Sequence, residues 1–408
     1  MAWNWRVERT VWDLGLGSAV GALAGCSSAL FLYLLERVIA TREHHTWLLF
    51  ALPVLGAASA WLYHRWGGES ERGGALILDE VVDFRGRVPV RMAPLVLAGT
   101  LLTHLGGGSA GREGTAIQMG AGLATGLGRL RWRWLGLNAS RQRLLLMAGV
   151  SGGFGALFGT PAAGAVFGME VITIGLLRYE GLLVCAAASF AGDGVCRLLG
   201  AHHAHWRPAA PPLDGLLGLK LLAFAVPAAL VAGAFAETTH RLAAWTRARL
   251  PHPCLRAFAG GCAVILLALA FRTPDYLNLG TVWLPRVLDA PGPVPGWAFL
   301  LKFLFTAVTL GFGFKGGEVT PLFVIGALLG AALAPVLGMP VPFAAAVGYV
   351  TVFAAASNTP LASLIMGVEL FGAAFAGPLV LTCFLAYVLV GHRGIYGGHR
   401  VHTPKMGV

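Results

Sequence analysis

Apolar runs separated by short polar breaks dominate this chain. They fall near residues 12–36, 46–63, 91–105, 113–128, 143–158, 160–175, 180–199, 213–236, 254–271, 295–312, 320–337, 342–356, 360–375 and 376–391. A helix needs about 20 apolar residues to cross a bilayer, so several of these segments are too short to span alone. The run from Leu14 to Leu35 is too long for a secretory leader and lacks its small-residue cleavage signal, so it is expected to remain as a span. Gly and Pro interrupt the short segments in both halves, a pattern of helices that begin inside a membrane. The prediction is an all-α polytopic membrane protein of short, tilted and re-entrant helices, with residues 1–408 as one integral domain and a short tail at 392–408.

Composition sharpens this picture. Of 408 residues, 56% are hydrophobic and 12% charged, against a charged share of about 25% in soluble domains. Mean hydropathy is +0.71, which excludes an ordinary aqueous globule. The 57 glycines let helix backbones approach closely. The net charge of +11 is spread between spans without a basic, aromatic-interleaved stripe, so no nucleic-acid partner is expected. Topology explains it better. Arg129, Arg131, Arg133, Arg141 and Arg143 crowd one expected loop, and Arg241, Arg247, Arg249 and Arg256 another. Arg6, Arg9, Arg393, Arg400 and Lys405 lie near the ends, so both termini are expected in the cytoplasm. Cys26, Cys185, Cys196, Cys254, Cys262 and Cys383 show no CxxC spacing, and neither a zinc site nor a disulfide framework is implied.

The chain repeats itself. Residues 154–171 align without a gap to 353–370, matching Phe154 with Phe353, Thr160-Pro161 with Thr359-Pro360, and Glu170 with Glu369. Upstream, GREGT at 111–115 lies over GGEVT at 316–320, placing Glu113 against Glu318 and Thr115 against Thr320. The spacing between the two motifs differs by six residues between halves, which an insertion in the Arg-rich loop would supply. That loop holds five Arg, whereas its counterpart around residues 335–342 holds none. The loops are therefore expected on opposite faces of the membrane, giving inverted repeats over 12–199 and 213–391.

Four buried helix starts follow from these motifs. Thr-Pro at 160–161, 320–321 and 359–360 reads as N-cap then N1, and GGGSAGREGT at 106–115 supplies the fourth. Converging N-termini offer unpaired N–H groups and partial positive charge to a small anion, with no metal or other cofactor required. An intramembrane carboxylate is costly and marks a functional position by default. Glu113, at such a helix start, is suited to occupy the anion's place when ionised and leave it when protonated, which couples protons to anions. The competing structural reading is a salt bridge to Arg112, disfavoured because successive residues at a helix start point apart. Glu318 is equally open to a capping role near Lys315. Glu170 and Glu369 are expected to serve structural roles near a helix end or subunit contact.

Taken together, GSAGREGTAIQMG and GGEVTPLF closely resemble the CLC family of chloride channels and proton/anion antiporters, in its fluoride-exporting branch. Chloride members carry GREGP and GGxFxP at these places, and the resemblance runs from about residue 12 to Tyr396. It implies an inverted-repeat CLC fold, a homodimer with one pathway per subunit, and proton-coupled fluoride export across the bacterial inner membrane. It also makes Glu113 the gating glutamate, with the amides near Val319 and Thr320 and the Tyr396 hydroxyl binding the anion. At the family's central serine position the fluoride branch has Met or Asn; here the region reads Gly73, Gly74, Ala75, Leu76, so Gly74 and Ala75 would give a contact free of polar side chains. The inner proton-transfer Glu of chloride antiporters falls on Val171, which leaves Glu318 and Thr320 as the expected inner relay.

Two other readings compete. A passive anion channel would share the pore and the carboxylate gate. An intramembrane serine hydrolase is suggested by Gly149-Val150-Ser151-Gly152 and by Gly107-Gly108-Ser109-Ala110-Gly111, but no general base accompanies either serine. His104 alone among the twelve His sits within an apolar segment, and His202, His203 and His205 read as a solvated loop.

Overall fold

In the computed structural model, residues 2–135, 138–289 and 292–405 are described, with the side chains of 2–9 and 130–135 left aside. Sixteen α-helices follow in two sets of eight. The first set is α1 (Ala2–His44), α2 (Leu52–Trp66), α3 (Gly74–Val82), α4 (Met92–Leu105), α5 (Glu113–Leu135), α6 (Ala139–Phe158), α7 (Pro161–Glu170) and α8 (Leu182–Leu198). The second is α9 (Gly215–Arg249), α10 (Pro253–Phe271), α11 (Trp283–Leu288), α12 (Ala298–Gly311), α13 (Val319–Leu337), α14 (Val341–Ser357), α15 (Pro360–Phe371) and α16 (Ala376–Leu389). Long and short helices occur in the same order in both sets. Six are long and apolar enough to cross a membrane. The ten residues of α7 rise only about 15 Å, so it ends within the protein.

Burial separates core from lipid-facing surface. Leu216, Leu219, Leu222 and Leu230 on α9 and Leu255, Leu266 and Leu269 on α10 are exposed apolar side chains, as a hydrocarbon solvent demands. Leu322, Phe323, Val324 and Ile325 on α13 are fully buried. The matched Phe154 and Phe353 stack with centroids 6.3 Å apart, so the two halves meet through equivalent residues. Glycine pairs permit the closest crossings: a Cβ on Gly149 would lie 2.5 Å from the Gly120 carbonyl oxygen, and one on Gly348 2.1 Å from that of Gly326. Neither position tolerates a side chain without the helices moving apart.

Three expectations change here. The Arg-rich loop at 129–143 is largely helical, because α5 runs to Leu135 and α6 starts at Ala139. The extra residues of the first half lengthen these helices, and Arg129 donates from Nη2 to the Gly86 carbonyl at 2.9 Å. The side chains of Arg6, Arg9, Arg131 and Arg133 fall outside those described. Arg241, Arg247 and Arg249 likewise extend α9 instead of forming a loop. Finally, α13 begins one residue before Thr320, so Glu318 is its N-cap residue and Pro321 its third helical residue, whereas Thr160 and Thr359 do stand at the N-cap positions of α7 and α15, without a side-chain capping bond.

Candidate functional site

GREGT and GGEVT, superposed as repeats in the sequence, touch in space. Gly111 N–H donates to the Gly317 carbonyl at 2.6 Å, and Gly317 N–H returns the bond at 2.8 Å. Side chains would block this pairing, since a Cβ on Gly317 would lie 2.9 Å from the Gly114 nitrogen. The bridge sets the N-terminus of α5 against that of α13. Glu113 is fully buried between them. Its Oε2 accepts from the Thr320 amide at 2.9 Å and from the Arg112 amide at 3.1 Å, and its Oε1 accepts from the Thr320 hydroxyl. A carboxylate thus occupies donors that a small anion would use.

The Arg112 guanidinium does not point away. Its Nε lies 3.9 Å from Glu113 Oε1, because the carboxylate folds back over its own helix start. Arg112 also lines a cavity of about 530 Å³ with Glu36, Glu43 and His202. A second cavity, of about 290 Å³, lies on the side of the C-terminal segment and is lined by Gly74, Ala75, Gln118, Lys315, Glu318 and Tyr396. Glu113 lines neither; its neighbour Arg112 borders the first, and Glu318, two residues before Thr320, borders the second.

Of the residues singled out as the anion site and proton relay, Glu113, Val319 and Thr320 lie at the contact of the two helix starts, and Gly74, Ala75, Glu318 and Tyr396 line the second cavity. The Tyr396 hydroxyl is buried with no hydrogen-bond partner among the described residues. Glu318 makes no side-chain cap bond to α13 and borders the second cavity instead. Val319 is buried as the first residue of α13. Gly74 begins α3, a helix start that no sequence signal exposed, because its N-cap is Gly73 in a left-handed conformation (φ +55°).

Two of the four predicted helix starts face no anion. At the start of α7, the Ala162 and Ala163 amides donate to Glu369 at 2.9 and 2.8 Å. At the start of α15, the Leu361 and Ala362 amides donate to Glu170 at 3.1 and 2.7 Å. The structural roles expected for both glutamates hold, and the electropositive ends at the seam are those of α3, α5 and α13.

Sequence reasoning missed Lys302. Its Nζ is fully buried and donates to Ser109 Oγ at 2.9 Å, so it holds that serine as a hydrogen-bond donor and does not serve it as a general base. Ser109 itself is fully buried and borders neither cavity, which leaves no room for a peptide substrate. Ser151 is likewise fully buried. His203 is held by the Ala156 carbonyl at 2.9 Å, and among the described residues no three His, Cys, Asp or Glu gather as metal ligands. The signal that would have revealed Lys302 is polar spacing: Lys302, Thr306 and Thr309 stand at i, i+4 and i+7 in the otherwise apolar α12.

The model of the voltage gated chloride channel family matches residues 55–391. The chain belongs to this family. Among its relatives, a "Chloride/fluoride channel protein" of Pseudomonas syringae pv. tomato is 42% identical over 96% of this chain and 87% of the relative. An "H(+)/Cl(-) exchange transporter ClcA" of Vibrio cholerae is 26% identical over 94% and 88%. The crystal structure of a CLC-type fluoride/proton antiporter superposes with a TM-score of 0.92 at 34% identity, covering 96% of this chain and 98% of the other. A slow cyanobacterial Cl-/H+ antiporter, 21% identical, shares the fold with a TM-score of 0.77 over 94% and 96%. The chain is thus a CLC-family membrane transporter with the inverted-repeat CLC fold, and the serine-hydrolase reading is set aside.

Proposed function

We propose that this CLC protein exports fluoride in exchange for protons. One observation carries the reading: the Glu113 carboxylate takes the amide and hydroxyl of Thr320 and the amide of Arg112, where the starts of α5 and α13 meet. Ionised, Glu113 satisfies these donors and closes the path. Protonated, it releases them, and a fluoride ion takes its place; alternation of the two occupants couples the fluxes in opposite directions.

The donor set suits fluoride. The smallest halide is the strongest hydrogen-bond acceptor and the costliest to dehydrate, so it requires dense N–H and O–H donors. Thr320 contributes one of each, Arg112 an amide and Tyr396 an unpartnered hydroxyl. The Val319 amide at the start of α13 adds to this set, and Gly74 and Ala75 line the approach without a polar side chain. Glu318, in the wall of the second cavity, and the Thr320 hydroxyl serve as the inner proton relay, Val171 standing where chloride antiporters carry a carboxylate. The names of the 42% and 34% identical relatives, which include fluoride, support the choice of anion.

In this reading the protein is a homodimer in the bacterial inner membrane. Residues 12–199 and 213–391 form its inverted repeats, and the basic tail with Arg393, Arg400 and Lys405 lies in the cytoplasm with the N-terminus. The test is reconstitution into vesicles carrying a fluoride gradient, with proton movement recorded. Uphill proton pumping supports exchange. Fluoride flux without proton movement would leave a passive channel.

A further inference from the structure

An ammonium withdrawn from water needs either a carboxylate or a reason. Lys302 on α12 is fully buried, and among the described residues no carboxylate lies within ion-pair distance of it. Its Nζ donates to Ser109 Oγ at 2.9 Å, to the Asn278 carbonyl at 2.8 Å and to the Tyr276 carbonyl at 3.2 Å. The side-chain nitrogen thus has three acceptors around it.

The rest of the α12 stripe engages the same serine. Thr306 Oγ1 lies 2.9 Å from Ser109 Oγ, and the Ser109 amide donates to Thr309 Oγ1 at 3.1 Å. Ser109 therefore has every polar atom of its amide and side chain fastened to one face of one helix. Two residues on, Gly111 makes the bridge to Gly317, and two beyond that stands Glu113. Backbone bonds already hold Gly106, Gly107, Gly108 and Gly111, and this anchorage adds the side-chain tether of the segment to α12.

We propose that Lys302 is a positioning residue for anion exchange. Its Nζ ties the turn before Glu113 to α12 through Ser109. The inference rests on the exchange reading given above. Four residues of chain separate Ser109 from Glu113, a reach of at most about 14 Å.

Fluoride binding to the purified full-length protein, measured by calorimetry, and fluoride-driven proton uptake in vesicles test it together. Lys302→Gln and Lys302→Met loosen the tether and are expected to weaken fluoride binding about tenfold, the scale of one hydrogen bond lost from the anchored turn. The loss falls on KM more than on kcat. Ser109→Ala keeps the lysine but cuts the tether, and is expected to lower the proton-to-fluoride ratio, with Ser109→Thr restoring it. Folded Lys302 variants that bind fluoride as tightly as wild type would overturn the proposal. Where those variants do not yield folded protein, an unchanged ratio in Ser109→Ala overturns it instead. Wild-type protein that binds fluoride but moves no protons would sink the exchange reading alone, leaving the calorimetric comparison to judge Lys302.

Discussion

Glu170 and Glu369 cap each other's helices: each carboxylate, at or near the end of its own short helix, accepts two amides from the start of the other. The repeat alignment matched these residues, and the fold uses that match as a reciprocal lock between α7 and α15. A carboxylate on two N–H groups at a helix start adds charge-assisted hydrogen bonds of about 1.5 to 3 kcal/mol each to a favourable dipole interaction. Glu369→Ala is therefore expected to lower the thermal midpoint in detergent markedly, and Glu369→Gln by less, since its amide keeps one acceptor. A midpoint unchanged in Glu369→Ala would mean that the lock contributes nothing.

Glu113 makes the sharpest functional prediction. Glu113→Gln preserves size and one acceptor oxygen but removes the charge that competes with the anion. Proton movement driven by a fluoride gradient is expected to vanish, while passive fluoride flux persists. Vesicles containing Glu113→Gln that still pump protons at the wild-type ratio would remove this residue from the mechanism.

How much was legible beforehand depended on whether the signal was periodic or pairwise. Apolar run lengths gave most of the spans, and the Gly and Thr-Pro breaks marked where α5, α7 and α15 begin. Glu113 stood out because carboxylates are rare in such surroundings. What the sequence concealed was partnership. Nothing local says that Glu369 neutralises the start of α7, so all four helix starts looked equally available to an anion. The start of α3 was hidden because Gly73 caps it through a left-handed backbone, without a Ser, Thr or Asp to announce it. Lys302 passed unnoticed inside an apolar run, its meaning supplied by Ser109 almost two hundred residues away.

The glycine crossings give a packing prediction. Gly348 faces the Gly326 carbonyl so closely that an added Cβ would lie 2.1 Å from it. Because backbone, not a flexible side chain, stands in the way, α13 and α14 must separate, at a cost of about 1 to 3 kcal/mol or more. Since α13 carries Thr320 at its second position, Gly348→Ala is expected to lower both the thermal midpoint and the fluoride transport rate. Gly194→Ala, where an added Cβ meets nothing within 4 Å, is the matched control and is expected to leave both unaltered.

Tyr396 separates binding from folding most cleanly. Its hydroxyl is buried beside the second cavity and has no hydrogen-bond partner among the described residues, so Tyr396→Phe breaks no bond seen there and should leave the thermal midpoint within a degree or two. A fluoride ion in the pathway would lose one O–H donor. Hydrogen bonds to charged groups are worth about 1.5 to 3 kcal/mol, which corresponds to roughly a ten- to hundredfold weakening of fluoride binding. Chloride, a weaker acceptor, loses less from the same deletion, so the fluoride-to-chloride preference should fall in a halide competition assay in vesicles. Equal loss for both halides would mean that the hydroxyl acts through the shape of the pathway, and undiminished fluoride affinity would take Tyr396 out of the anion site.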